Sequence, residues 1–266
     1  HSNLGIIFKE MGRFNEAEAC LRRAIALKAD LVEAYNSLGN TLQQLDRLDE
    51  AEASLRHAIS LKSDYPEAHN NLGLILQQLG KFSAAKASYI QAIVLKPNFA
   101  EVYNNLGITL QELGEIEEAE KNWKKAISIE PNYADAYFNF GVLLKTLRRY
   151  DEAEVCYRNA ISLKPKNFSI AYDHLAFILQ TKKKFDEAEE FYKKYSSLEP
   201  IKPSETVSKG DFFYKQGNYE RALHLFDSYN TKTSRARALE SLYALGRIEE
   251  IYKKIIDNSI VDERNI

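Results

Sequence analysis

Five glycines, Gly5, Gly39, Gly73, Gly107 and Gly141, stand 34 residues apart, and Gly210 falls in the same column after a one-residue insertion. A second column, Gly12, Gly80, Gly114, Gly217 and Gly246, lies behind the first and completes the eleven glycines of the chain. The prolines keep the same beat. Pro97, Pro131, Pro165 and Pro200 close successive units, while Pro66 and Pro203 open two others. Alanine supplies two further series, Ala17, Ala51, Ala85, Ala119, Ala153, Ala188 and Ala222, then Ala24, Ala58, Ala92, Ala126 and Ala160. A fixed period of this length means small supersecondary units stacked on one another rather than a single globule.

Each unit has helical periodicity. From Val32 to Leu45 the apolar residues Tyr35, Leu38, Leu42 and Leu45 recur every three or four positions, which predicts a first helix. A second helix is expected from about Asp49 to Lys62, with Ala51, Leu55, Ala58, Ile59 and Leu61 facing inward. A glycine ends the first helix and a proline or aspartate ends the unit. The early glycine column lies inside the first helix, where each glycine costs roughly 1 kcal/mol relative to alanine. That cost suits a close helix–helix approach, with the small alanines expected opposite.

The unit Tyr103-Asn104-Asn105-Leu106-Gly107, followed by Gly114, Ala119, Trp123, Ala126 and Pro131, resembles the tetratricopeptide repeat. The resemblance implies an all-α fold, an α-solenoid of antiparallel helix hairpins wound into a right-handed superhelix. About six units are expected over residues 1–202, the first truncated, with one more and a degenerate eighth (Arg235–Lys254) over 203–266. The sixth unit departs from the pattern, with Ala176 in place of the glycine and Lys183 in place of the turn residue. The C-terminal isoleucines Ile251, Ile255, Ile256 and Ile260 do not make a polar cap, so the chain is expected to be a fragment at both ends.

Composition excludes several functions. There are 36 Lys+Arg against 38 Asp+Glu, a net charge of −2, so a basic footprint for nucleic acid is lacking. A helical-repeat RNA binder would also need base-reading pairs in each unit. No run approaches the length of a membrane span. The histidines His1, His57, His69, His174 and His224 show no metal spacing, and the repeat uses every glycine, leaving none for a phosphate-cradling loop. No cofactor, metal or active site is expected. Cys20 and Cys156 lie four units apart, too far for a disulfide, which fits a reducing, cytoplasmic setting.

The acid clusters around Asp49, Asp151 and Asp186 open second helices, where caps and the helix dipole favour carboxylates, and Lys28, Lys62, Lys96 and Lys164 close those helices. The run Lys182-Lys183-Lys184 is expected in a solvated turn. Trp123, Tyr89, Tyr157, Tyr192 and Phe226 form one column that reads as packing.

What remains is a polar stripe on the first helices: Asn36, Asn40, Gln43 and Gln44; Asn70, Asn71, Gln77 and Gln78; Asn104, Asn105, Gln111 and Glu112. Asn3, Asn71, Asn105 and Asn139 recur in one column, interrupted by Ser37, His174 and Ser208. An asparagine offers a donor and an acceptor, matching a peptide amide, so a ladder of them can hold an extended chain. The ladder resembles that in the tetratricopeptide arm of O-linked N-acetylglucosamine transferases. The alternative is that these amides bond to the neighbouring unit. The family's carboxylate clamp needs cations in the groove, yet the first helices of units two to four hold no lysine or arginine, while Glu33, Glu67, Glu101 and Asp135 repeat at first-helix starts.

The expectation is a module binding a protein or extended peptide, without nucleic acid or membrane, with self-association through the solenoid ends left open. A second expectation is that it serves as the substrate-recognition arm of a larger enzyme, a glycosyltransferase or a 2-oxoglutarate/iron oxygenase. Residues 237–247 resemble arrays that precede such oxygenases.

Overall fold

The computed structural model describes residues 1–165, 167–184, 186–188, 190, 191, 194, 210, 214, 219–227, 232–251, 253 and 254. The chain divides into two compact units, His1–Tyr195 and Ser196–Ile266. The described residues contain no strand.

The first unit contains α1 (Ser2–Glu10), α2 (Phe14–Leu27), α3 (Val32–Gln44), α4 (Leu48–Leu61), α5 (Pro66–Gln78) and α6 (Phe82–Leu95). It continues through α7 (Ala100–Glu112), α8 (Ile116–Ile129), α9 (Ala134–Thr146), α10 (Tyr150–Leu163) and α11 (Ser169–Thr181). Odd and even helices pair into hairpins, and each even helix packs against the odd helix that follows. Successive odd helices from α1 to α9 also touch one another, whereas successive even helices make no comparable contact among the described residues. A stack whose first helices meet while its second helices splay is curved, with the first helices on its inner face.

The turn inside each hairpin follows from left-handed geometry. Gly12, Gly80 and Gly114 have φ of 73°, 71° and 76°, the region where a Cβ is penalised. In the turn after α5, the Lys81 amide donates to the Leu76 carbonyl and the Gly80 amide to that of Gln77, the paired bonds of a Schellman ending. Asp46, Arg148 and Lys183 occupy the same place at φ of 57°, 59° and 60°, so the turn survives loss of its glycine.

The early glycine column has a different partner from the one expected. The alanines are buried, but a Cβ on Gly39, Gly73, Gly107 or Gly141 would strike Leu55, Tyr89, Trp123 or Tyr157 at 2.6, 2.5, 2.7 and 2.9 Å. The glycine makes room for the largest fully buried side chain of the second helix. Tyr89, Trp123, Tyr157 and Phe226 are accordingly fully buried, whereas Tyr192 lies outside the described residues.

Two further expectations are corrected. Leu61, in the last turn of α4, is 40% exposed rather than inward. The second helices α2, α4, α6, α8 and α10 carry no side-chain cap, because their N-cap residues are Arg13, Arg47, Lys81, Glu115 and Arg149. An arginine there reaches forward to the carboxylate three residues on, as Arg47 does to Glu50 at 2.7 Å. The acids one turn further on are also tied up in ion pairs, Glu52 with Lys81 and Glu154 with Lys182, each at 2.8 Å. Lys182 is thus paired rather than solvated.

In the second unit, α12 (Tyr219–Asp227) packs on α13 (Lys232–Ala244) around Ala222, Leu223, Phe226, Ala238 and Leu242. Gly246, at φ 71°, repeats the hairpin turn, and the Arg247 amide donates to the Leu242 carbonyl. Gly217, Ser208, Ile255, Ile256 and Ile260 lie outside the described residues.

Candidate peptide-binding face

On each first helix the residues three before the glycine, one after it and four after it fall on one flank, within about 100° of the glycine's own direction, and follow one another along the inner surface. These are Asn36, Asn40 and Gln43 on α3, then Asn70, Leu74 and Gln77 on α5. On α7 they are Asn104, Ile108 and Gln111, and on α9 Phe138, Val142 and Lys145.

The asparagines at the first of these positions are buried. Asn36, Asn70 and Asn104 are 9%, 3% and 4% exposed, and Asn105 is buried beside them. Asn71, Asn139, Asn40, Gln43, Gln77, Gln111 and His174 are half-buried, and Asn3 is exposed. The structure joins these amides across units. The Nδ2 of Asn71 donates to Oδ1 of Asn36 at 2.9 Å, that of Asn105 to Asn70 at 3.2 Å, and that of Asn139 to Asn104 at 2.9 Å.

Two of the three bridges have their amide orientation set by a neighbour. Indole N–H can only donate, so Trp123 Nε1, 3.2 Å away, must face Oδ1 of Asn104. A carboxylate can only accept, so Glu101 takes Nδ2 of Asn70 at 3.1 Å and leaves Oδ1 for Asn105. Asn36 turns its Nδ2 to the Tyr65 hydroxyl at 3.4 Å. With their Nδ2 atoms committed, Asn71 and Asn139 hold carbonyl oxygens with no partner among the described residues, and Asn105 Oδ1 receives only a long 3.4 Å contact from Asn104.

A second polar row runs parallel. Gln43 donates to Gln78 at 3.1 Å, and Gln77 Oε1 accepts from both Tyr89 and Thr109 at 3.1 Å. Burial pushes the Tyr89 phenol well above its ordinary range, so it remains a donor. The side-chain amides of Asn40 and Gln111 have no hydrogen-bond partner among the described residues.

The ladder ends at unit five. Phe138 stands where Asn104 stood, so the next rung has no acceptor. His174 instead lies parallel to the Phe138 ring, centroids 6.3 Å apart, with Nδ1 at 3.0 Å from the Tyr157 hydroxyl. Burial, with Lys145 nearby, pulls its pKa down to about 4, so the ring is neutral at pH 7.

Sequence reasoning missed the row between the amides. Leu74, Ile108 and Val142 are half-buried and Phe177 is 37% exposed. The signal was present, since Leu74, Ile108 and Val142 recur at the repeat period, but apolar residues in a helix read as core. The inner acids also differ in status. Glu67 and Asp135 pair with Lys96 and Lys164 at 3.2 and 2.9 Å, while Glu33, Glu101 and Glu112 form no ion pair among the described residues. Burial lowers the Lys145 pKa, and its ammonium sits 5.9 Å over the Phe177 ring.

No group of His, Cys, Asp and Glu among the described residues could hold a metal ion. Both cysteines carry free thiols, that of Cys156 pushed up to about 12 by burial. No described helix is long and apolar enough to cross a membrane.

A hairpin array of this geometry defines the class, a repeat scaffold whose inner face is built from first helices. A family profile described as "TPR repeat" matches residues 5–46, 44–80 and 75–114, and profiles described as "Tetratricopeptide repeat" match 100–133, 134–167 and 170–202. The chain belongs to the tetratricopeptide repeat family, whose members are protein-interaction scaffolds that bind protein or peptide partners. No curated protein sequence matches it. Among solved structures, MamA protein is 26% identical with a TM-score of 0.55, covering 64% of this chain and 92% of MamA. PilF of Pseudomonas aeruginosa is 20% identical with a TM-score of 0.69, covering 76% of this chain and 91% of its own. YrrB, described as a TPR protein with an unusual peptide-binding site, is 21% identical with a TM-score of 0.53, covering 68% and 92%.

Proposed function

We propose that the inner face of α3 to α11 holds an extended segment of a partner protein, chiefly by its backbone. The observation that carries this reading is the set of carbonyl oxygens on Asn71, Asn105 and Asn139, aligned one per unit. Each Nδ2 is tied to the preceding unit, which holds the carbonyl oxygen ready for a peptide N–H. Bonding between units and binding of a peptide are therefore compatible uses of one side chain. The peptide-binding site named for YrrB gives the same fold a precedent. The uncharged amide rows of α3, α5 and α7 and the acids without an ion pair on α3 and α7 suit a protein ligand and disfavour a phosphate backbone.

A peptide selected from a randomised phage-displayed library on the wild-type chain is the probe. Replacing Asn71, Asn105 and Asn139 together by alanine should cost about 0.5–1.5 kcal/mol per lost bond, hence more than about tenfold in affinity by fluorescence anisotropy. Because the same asparagines bridge units, circular dichroism must show intact helicity in the variant. Unchanged affinity with intact helicity overturns the reading.

A further inference from the structure

The inner face is more specific than a general peptide support, and we propose that its occupant is a cationic extended segment with an apolar side chain at every third residue. The inference rests on the groove reading above and adds the chemistry of the ligand.

Three rows run along the stack. The asparagine row lies on one side, the glutamine row on the other, and between them Leu74, Ile108 and Val142 form an apolar row continued by Phe177. The bridges fix the register of this middle row. Asn105 bonds to Asn70 four residues before Leu74, and Thr109 bonds to Gln77 three residues after it, so Leu74 and Ile108 are pinned as neighbours between two hydrogen-bonded contacts. One apolar position is thus offered per unit, beside one asparagine carbonyl.

Packed helices repeat at about 8–10 Å. A polyproline-II chain rises about 3.1 Å per residue and turns once in three, so about three residues span one unit and side chains three apart face the same side. A segment whose apolar side chains recur every third residue meets every rung. A strand of alternating apolar residues falls out of phase after one.

The charge of the face selects the residues between. Helices α3, α5 and α7 contain no lysine or arginine, and Glu33, Glu101 and Glu112 have no ion pair among the described residues. The acids that are satisfied, Glu67 and Asp135, take their lysines from the ends of second helices. Lysine or arginine on the occupant would find three uncompensated carboxylates, and an acidic segment would be repelled.

The test uses the full chain and three labelled synthetic peptides of equal length. The first has leucine every third residue with lysine and serine between, the second the same composition with its leucines gathered at alternate positions of one stretch, and the third glutamate in place of lysine. The first should bind at least about tenfold tighter than either other, and its affinity should fall with added salt. Ile108→Asn should remove the advantage of the first peptide over the second, and Ile108→Val, which keeps the row apolar, should preserve it. Equal binding of the first two peptides overturns the three-residue period, and tighter binding of the glutamate peptide overturns the charge assignment. If none of the three binds while a library-selected peptide does, this inference fails and the groove reading stands. If the library also yields no binder, both fail.

Discussion

At the residue scale, one side chain shows how a repeat assigns two roles to a single column. Trp123 fills the space that Gly107 leaves open, and its N–H dictates which face of Asn104 receives the next unit. In the following unit Tyr157 occupies the same column, with His174 rather than an asparagine at its hydroxyl. His174 gives this position a pH dependence. Its pKa in the folded chain lies near 4, below the unfolded value of about 6.5, so only the unfolded form takes up a proton between those values. The neutral ring's contribution is complete above pH 6.5 and is lost as pH falls toward 4, by about 1–3 kcal/mol. Urea unfolding at pH 7.5 and pH 4.5 checks this: His174→Gln should flatten the pH dependence relative to the parent chain. Equal slopes would show that His174 does not control it.

At the scale of elements, the ion pairs along the second helices carry a polarity. Arg47 reaches Glu18, Lys81 reaches Glu52 and Arg149 reaches Glu120, each cation lying at the start of a second helix and its acid in the preceding one. These bonds hold the Glu120 carboxyl down at about 2. Between α6 and α8 the pair is reversed, with Lys86 donating to Glu115. Elsewhere the acid also pairs with a cation four residues on, as Glu18 does with Arg22 and Glu52 with Arg56. Lys86 would repel such a cation, and Ile90 stands there instead, 44% exposed. A double-mutant cycle tests the reversal. Lys86→Glu and Glu115→Lys alone should each destabilise by about 0.5–1 kcal/mol, while the double variant recovers most of the loss at low salt. Additive losses in the cycle would mean that the pair is not coupled.

For the first unit taken whole, stability is a chain of nearest-neighbour interfaces. Asn104 binds its own unit through Trp123 and the next through Asn139, so Asn104→Ala strips bonds on both sides and leaves a buried indole donor unpaired. A loss of about 1–3 kcal/mol is expected. Hydrogen exchange should quicken in α7 to α10 while α1 to α4 keep their protection, and a uniform loss across α1 to α11 would instead indicate one all-or-none globule.

The period of Gly39, Gly73 and Gly107, with Ala51, Ala85 and Ala119 behind them, was enough to determine the hairpins, their number of residues and the side on which the amides lie, because these are local consequences of helix periodicity and turn chemistry. The Schellman turn at Asp46 was legible only as a break in the pattern. Its left-handed backbone is imposed by the packed hairpin on a residue that would not choose it. The partner of each glycine, the direction of every amide bridge and the apolar row at Leu74, Ile108 and Val142 were decided by tertiary structure. Each depends on which side chain of another helix fills a space or claims a lone pair, and a pattern along one chain carries no record of that. Periodicity places Asn105 on the inner face. Only the presence of Glu101 against Asn70 decides which end of the Asn70 amide Asn105 meets, and so which atom it offers to a partner.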